Sequence, residues 1–149
     1  MTDSGGGGTE AQAFREIMRR AGHEIRNALS GAAVNSEVVR SRSQRDGSAR
    51  ELAAFAERAA AQVSEASSLS DGLLALVGSV VASQSEGSLK AVGAHGGAKR
   101  IELMLYGDSS TAIASDIERL TSRIGVTVEQ DGQRVILTIL PEGKSHSKD

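Results

Sequence analysis

His23 lies in the run Gly22-His23-Glu24-Ile25-Arg26-Asn27-Ala28-Leu29, and polar side chains recur around it at helical spacings. Arg19 and Asn27 stand four residues to either side, Arg20 and Arg26 three to either side, and Glu24 follows directly. Residues three and four apart share one face of a helix. The pattern therefore sets an imidazole among guanidinium groups, with a carboxylate next in sequence. A neutral imidazole nitrogen can attack phosphorus. Phosphoryl transfer depends mainly on positioning and charge stabilisation, which arginine supplies. An adjacent carboxylate can orient the ring or accept its proton. The same spacing also fits an ordinary exposed histidine on a charged helix, so the surrounding elements decide between the two.

A long straight helix is needed to hold that face. Residues 1–8 (MTDSGGGG) bury nothing and read as a flexible leader. Thr9-Glu10-Ala11-Gln12 carries the hydroxyl and the glutamine, three apart, of a capping box. Phe14, Met18, Ala21, Ile25, Ala28, Ala32 and Val39 follow at spacings of 4, 3, 4, 3, 4 and 7, a heptad seam with Asn35 between the last two. Ser43-Gln44-Arg45-Asp46-Gly47 is turn chemistry, and Ser48-Ala49-Arg50-Glu51 is a second capping box. A second seam runs through Leu52, Ala56, Ala59, Val63, Ala66, Leu73, Val77 and Val80, interrupted by Ser70. Each helix, of about 34 residues, spans about 50 Å. The short loop makes them antiparallel neighbours, so residues 9–83 form a helical hairpin. A hairpin alone leaves apolar faces open. Two chains sharing a four-helix bundle would close them; a hairpin covered by its own C-terminal segment is the alternative.

Residues 84–98 are rich in Ser, Gly and Ala and read as a linker, with a short strand around Leu89–Val92. The period then changes. Arg100–Tyr106 is a strand, Gly107-Asp108-Ser109-Ser110 a turn with an N-cap, and Thr111–Ile124 a helix with Ile113, Ile117, Leu120 and Ile124 on one face. Gly125 suits the helix end. Val126–Glu129 and Arg134–Leu140 are strands joined through Asp131-Gly132. Residues 99–142 thus make a small β-α-β-β domain, and 143–149 a flexible tail. The expected fold class is α+β.

Composition narrows the function. The 149-residue chain has a net charge of -2, no Cys, no Trp, one Pro and three aromatics, Phe14, Phe55 and Tyr106. A disulfide framework and Cys-based zinc sites are excluded. Near-neutral charge argues against nucleic acid as a partner, and so few aromatics cannot stack single-stranded bases. No apolar run of the roughly 18 residues of a membrane span is expected, nor a secretory signal, so the sequence points to a cytoplasmic protein without membrane partners. No metal site is expected: Asn27 stands where a His-Glu-x-x-His motif needs its second histidine, and His95 and His146 lack ligand spacing. Gly5–Gly8 lacks the Lys-Ser/Thr of a phosphate loop.

The run His23-Glu24-x-Arg26-Asn27-x-Leu29 resembles the phospho-acceptor box of two-component sensor histidine kinases. In that family the box sits on the first helix of a hairpin that dimerises into a four-helix bundle. The resemblance implies that His23 is phosphorylated, that Glu24 is its assisting acid, and that Asn27 occupies the position that orients water in kinases with phosphatase activity. Ala28 stands where the family often has a proline that kinks the helix. The stretch Ile113–Pro141 is similar to the closing segment of the kinase ATP-binding domain, but the Asn-bearing helix box and Asp-x-Gly-x-Gly are missing. The chain therefore resembles histidine phosphotransferases, in which a dimeric hairpin carries a reduced ATP-binding-like domain. Such a protein would pass phosphoryl groups between His23 and receiver-domain aspartates of a phosphorelay, without using ATP. Its partners would be a second copy of itself and a response-regulator receiver domain, with no cofactor beyond the Mg²⁺ that the receiver brings. Arg19, Arg20 and Arg26 would assist. Docking would use Ser30, Gly31 and Val34, together with Ser67 and Ser68, which pairing about the loop centre brings near His23. A regulatory module that is never phosphorylated, a phosphatase acting through Asn27, and a purely structural coiled coil remain alternatives.

Overall fold

The computed structural model describes residues 5–45, 47–92, 98–106 and 110–141. The expected leader falls partly, and the tail after residue 142 wholly, outside these residues, as do Asp46, the glycine-rich run 93–97 with His95, the turn 107–109, His146 and the side chain of Ile113. Two long helices come first, α1 (Gly5–Ser43) and α2 (Ala49–Ser85). They run antiparallel and are followed by β1 (Lys90–Val92), β2 (Lys99–Met104), α3 (Ser110–Thr121), β3 (Val126–Asp131) and β4 (Arg134–Ile139). The chain is α+β, with the strands in one antiparallel sheet of order β1-β2-β4-β3.

Local chemistry explains most of these boundaries. Ser48 caps α2, its hydroxyl accepting from the Glu51 backbone N–H at 3.2 Å, as the second capping box predicts. The first box is corrected, because Thr9 lies inside α1, which begins at Gly5. Glycine disfavours a helix interior; here a tertiary bond helps hold the early turns, the Glu10 carboxylate accepting from Ala91 N–H of β1 at 3.0 Å. The hairpin turn is also displaced by one residue. Asp131 still pairs with Arg134, leaving Gly132 and Gln133 as the two-residue loop. Gly132 has φ +63°, the left-handed conformation required of a first turn residue in a type II′ hairpin. The short strand expected around Leu89–Val92 within the linker forms as β1 along the β2 edge, so the small domain is β-β-α-β-β.

One apolar core joins hairpin and sheet. Ala13, Ile17 and Ala21 of α1 meet Leu69, Leu76 and Val80 of α2, Ile117 and Leu120 of α3, and the inward side chains Ile101, Leu103, Val135, Leu137 and Ile139 of the sheet. The inward residues alternate along β2 and β4 with half-buried or exposed ones, the period of a one-sided sheet. Ser83 ties α2 to β2: its hydroxyl donates to Met104 C=O at 3.0 Å and accepts from Met104 N–H at 2.9 Å. At Gly72, α3 comes so close to α2 that a methyl group would sit 2.6 Å from Asp116 O and 2.8 Å from Leu120 Cβ.

The C-terminal segment thus covers one flank of the hairpin at its open end; the seams hold at Ala21, Ala28 and Ala32 and at Ala59, Ala66 and Val80, which are buried, and are corrected in part elsewhere. Residues facing the core on α2 are Ala59, Ala66, Leu69, Gly72, Leu76, Ser79, Val80 and Ser83, whereas Val63 of the expected seam is exposed. On α1 Ile17 is buried and Met18 exposed. Helix α2 carries two apolar stripes, and a period alone does not say which one meets the rest of the chain. Met18 and Leu29 on α1, with Val63, Leu74 and Val81 on α2, remain as exposed apolar side chains. At 100° per residue, Leu74 lies about 200° round the helix from Gly72, and Met18 about 200° from Arg20, so this stripe turns away from the small domain. The expectation of no membrane-length apolar stretch is also corrected: α2 is long and apolar enough by composition, with mean hydropathy 1.4 over 18 residues. It owes this length to serving both stripes, and 39% of that window is buried inside the fold.

Candidate functional site

Helix α1 runs through the His23 box without a break, and His23 is exposed on it. Above the ring the small domain leans over the helix and leaves a cleft of about 340 Å³. Arg19, Arg20, His23 and Glu24 form its floor; Arg123, Ile124, Gly125, Leu140 and Pro141 form the opposite wall. Two loops, the end of α3 and the end of β4, therefore converge on the residue that the sequence singled out.

The arginines around His23 do different work. Arg20 is nearly buried, its side chain 10% exposed. Its guanidinium donates to the carbonyls of Ile124 at 3.0 Å, Gly125 at 3.3 Å and Leu140 at 2.8 Å, while Glu16 holds it from below at 2.8 Å. A carbonyl oxygen carries partial negative charge, and a hydrogen bond to it from a charged donor is stronger than one from a neutral donor. Arg20, expected among the groups assisting His23, thus clamps α1 to the small domain at the edge of the cleft. Arg19 lines the cleft and is held by both carboxylate oxygens of Glu16, at 3.0 and 2.8 Å. Arg26 is exposed and does not line the cleft.

Glu24 is half-buried and faces Arg123, with 4.0 Å between Oε2 and Nη2. Arg123 also pairs with Glu65 of α2, so one guanidinium joins both helices to the small domain. Among the described residues His23 makes no hydrogen bond or ion pair. Asn27 is exposed one turn further along, followed by exposed Ser30 and Val34; the spacings 4, 3 and 4 keep all four on one flank of α1. Gly31, in contrast, faces α2, where an added methyl group would meet the Gln62 side chain, itself bonded to Asn35 at 2.7 Å. Ser67 and Ser68 do not line the His23 cleft either: Ser68 borders a groove with Leu69, Arg119 and Ser122, and Ser67 precedes Leu74 by seven residues on the open stripe. Sequence reasoning missed Arg123, because a single arginine near a helix end carries no signal of what lies opposite.

Glu16 anchors two guanidinium groups, and their hydrogen bonds pull its carboxyl from 4.5 down to about 2. A carboxylate more acidic in the folded chain stabilises it fully above pH of about 4.5, and that contribution is lost as pH falls toward 2. Glu16→Gln is therefore expected to flatten the fall in urea midpoint between pH 6 and pH 3. A variant with the same acid sensitivity as wild type would sink this. Among the described residues no group of three His, Asp or Glu side chains is arranged to hold a metal.

Comparison of the chain with protein-family models, with curated proteins and with solved structures gives no match.

Proposed function

We propose that the chain is a histidine phosphotransfer protein of a cytoplasmic two-component phosphorelay, with His23 as the phosphorylated residue. One observation carries this: an exposed histidine on the first helix of an antiparallel hairpin faces a cleft lined by Arg19 and Arg123, with Glu24 on the same floor. In the proposed reaction a receiver domain brings its aspartyl phosphate, with Mg²⁺, to the cleft. His23 Nε2 attacks phosphorus on the side opposite the aspartyl oxygen. The P–O bond breaks, its electron pair returns to the receiver carboxylate, and the ring proton on Nδ1 leaves to Glu24 or water. Reversal on a second receiver completes the relay, and no nucleotide is needed. His23, Asn27, Ser30 and Val34 offer the flank on which that receiver docks.

The partner on the opposite flank is a second copy of the chain. Leu74 is 70% exposed, and Met18, Leu29, Val63 and Val81 extend its stripe over both helices. Two such stripes facing each other make a four-helix bundle and leave both His23 clefts open. Leu74→Glu is expected to convert a dimer into a folded monomer in sedimentation equilibrium. A wild-type chain that sediments as a monomer at all concentrations would remove the bundle.

The direct test is transfer of labelled phosphate from a phosphorylated receiver domain to the chain, with His23→Gln as the deciding variant. Equal labelling of both proteins, or labelling of neither by a panel of receivers, would reject the reading.

A further inference from the structure

Arg123 is unlike the other arginines of the cleft. Arg20 is committed to three carbonyls and Glu16, and Arg19 to both oxygens of Glu16. Arg123 comes from the turn after α3, and its side chain is half exposed. Two hollows meet at it: the cleft with His23, and a groove of about 250 Å³ between α2 and α3 bordered by Glu65, Ser68 and Arg119. Glu65 holds the guanidinium on the groove side, while Glu24 approaches it only to 4.0 Å on the His23 side. That distance is beyond a hydrogen bond. A guanidinium on a turn, fixed at one edge and loosely faced at the other, keeps donors for an anion arriving between it and His23. A phosphoryl group is doubly charged and matches the planar fork of arginine.

We infer that Arg123 is a catalytic cation, delivered by the small domain, that neutralises the phosphoryl group as it moves on and off His23. The inference rests on the phosphotransfer reading and deepens it. In an in-line transfer the charge spreads over the three peripheral phosphoryl oxygens, where an arginine acts most strongly. Glu65 occupies the guanidinium before phosphate arrives, and both carboxylates give way to the phosphoryl oxygens. The small domain then contributes one residue to the chemistry and needs no nucleotide to do so.

Phosphoramidate tests this on the full chain without a receiver. Its P–N bond breaks as ammonia leaves, a P–N bond forms to the imidazole, and the remaining ring proton passes to water. Wild type is expected to become phosphorylated at His23. Arg123→Ala is expected to react roughly tenfold more slowly, and Arg123→Lys to recover part of the loss, since it restores charge without the fork. Glu65→Gln cuts the same bridge to α2 but leaves the guanidinium, and is expected to raise the rate by removing a competing carboxylate. If Arg123→Ala reacts at the wild-type rate, or Glu65→Gln slows as much as Arg123→Ala, the cation role is overturned and the phosphotransfer reading stands. If His23→Gln takes up phosphate as fast as wild type, or neither takes any, both fall together. Should the alanine variant unfold, Arg123→Gln takes its place: a wild-type rate in a folded protein overturns the cation role, and a loss of roughly tenfold supports it.

Discussion

His23→Gln is expected to end phosphate uptake from a receiver domain while leaving the fold and its melting temperature as they were. The chemical half follows from the lone pair: an amide nitrogen is not a nucleophile, and removing a reacting nucleophile costs about three orders of magnitude or more. The structural half follows from the environment. His23 is exposed and has no polar partner among the described residues, so stability is expected to change by no more than about 0.5 kcal/mol. The combination separates a reacting group from a merely buried one, since a structural histidine would lose both properties together. The variant also sorts the alternatives. Faster decay of receiver phosphate that survives His23→Gln and disappears in Asn27→Ala would assign a phosphatase acting through Asn27. A protein that binds receivers equally well in all three forms, with no transfer and no decay, would be a regulatory module.

Arg20→Ala is expected to have the opposite profile, a large loss of stability with an indirect loss of function. The substitution removes the charged donor from the carbonyls of Ile124, Gly125 and Leu140, of which Gly125 keeps the Leu140 N–H, and takes from Glu16 one of its two cations. Hydrogen bonds to a charged donor contribute about 1.5–3 kcal/mol each, but carbonyls at a cleft edge can turn to water. A net cost of about 2–3 kcal/mol follows, which in a chain of this size lowers the melting temperature by about 4–12 °C. The acid loss assigned to Glu16 should shrink in the same variant, because the two groups are bonded to each other. Arg20→Lys is expected to recover only part of the stability, since one ammonium cannot reach three carbonyls in the plane of a guanidinium. Unchanged stability in Arg20→Ala would mean that apolar contacts alone hold the small domain in place. Phosphate uptake should fall too, because the wall opposite His23 is positioned by this clamp.

Much of the molecule is local, and was therefore legible. Ser48 and Glu51 carry their own cap in sequence. The alternation of Ile101, Leu103, Val135, Leu137 and Ile139 is a property of consecutive residues, as is the 3.6-residue period that places His23, Asn27, Ser30 and Val34 on one flank. The start of α1 was not legible, because Thr9-Gln12 satisfies the local rule while Glu10 answers to β1. The core stripe of α2 was legible only in part, at Ala59, Ala66 and Val80, since Leu69 and Leu76 compete with Val63 and Val77 at nearly the same period. Which stripe is buried depends on where α3 lands, and it lands against Gly72, where no side chain holds the two backbones apart.

The candidate site divides the same way. The sequence by itself determined that an imidazole, a carboxylate and an amide share an α1 neighbourhood, because residues three and four apart on a helix have no choice of neighbour. Tertiary structure alone decided what faces them. Arg20 turns from His23 to a set of carbonyls more than a hundred residues away, and Arg123 comes back from the far end of the chain to stand between Glu24 and Glu65. A guanidinium's partner is fixed by which unsatisfied carbonyls and carboxylates the fold leaves within its reach, and no period along the chain encodes that.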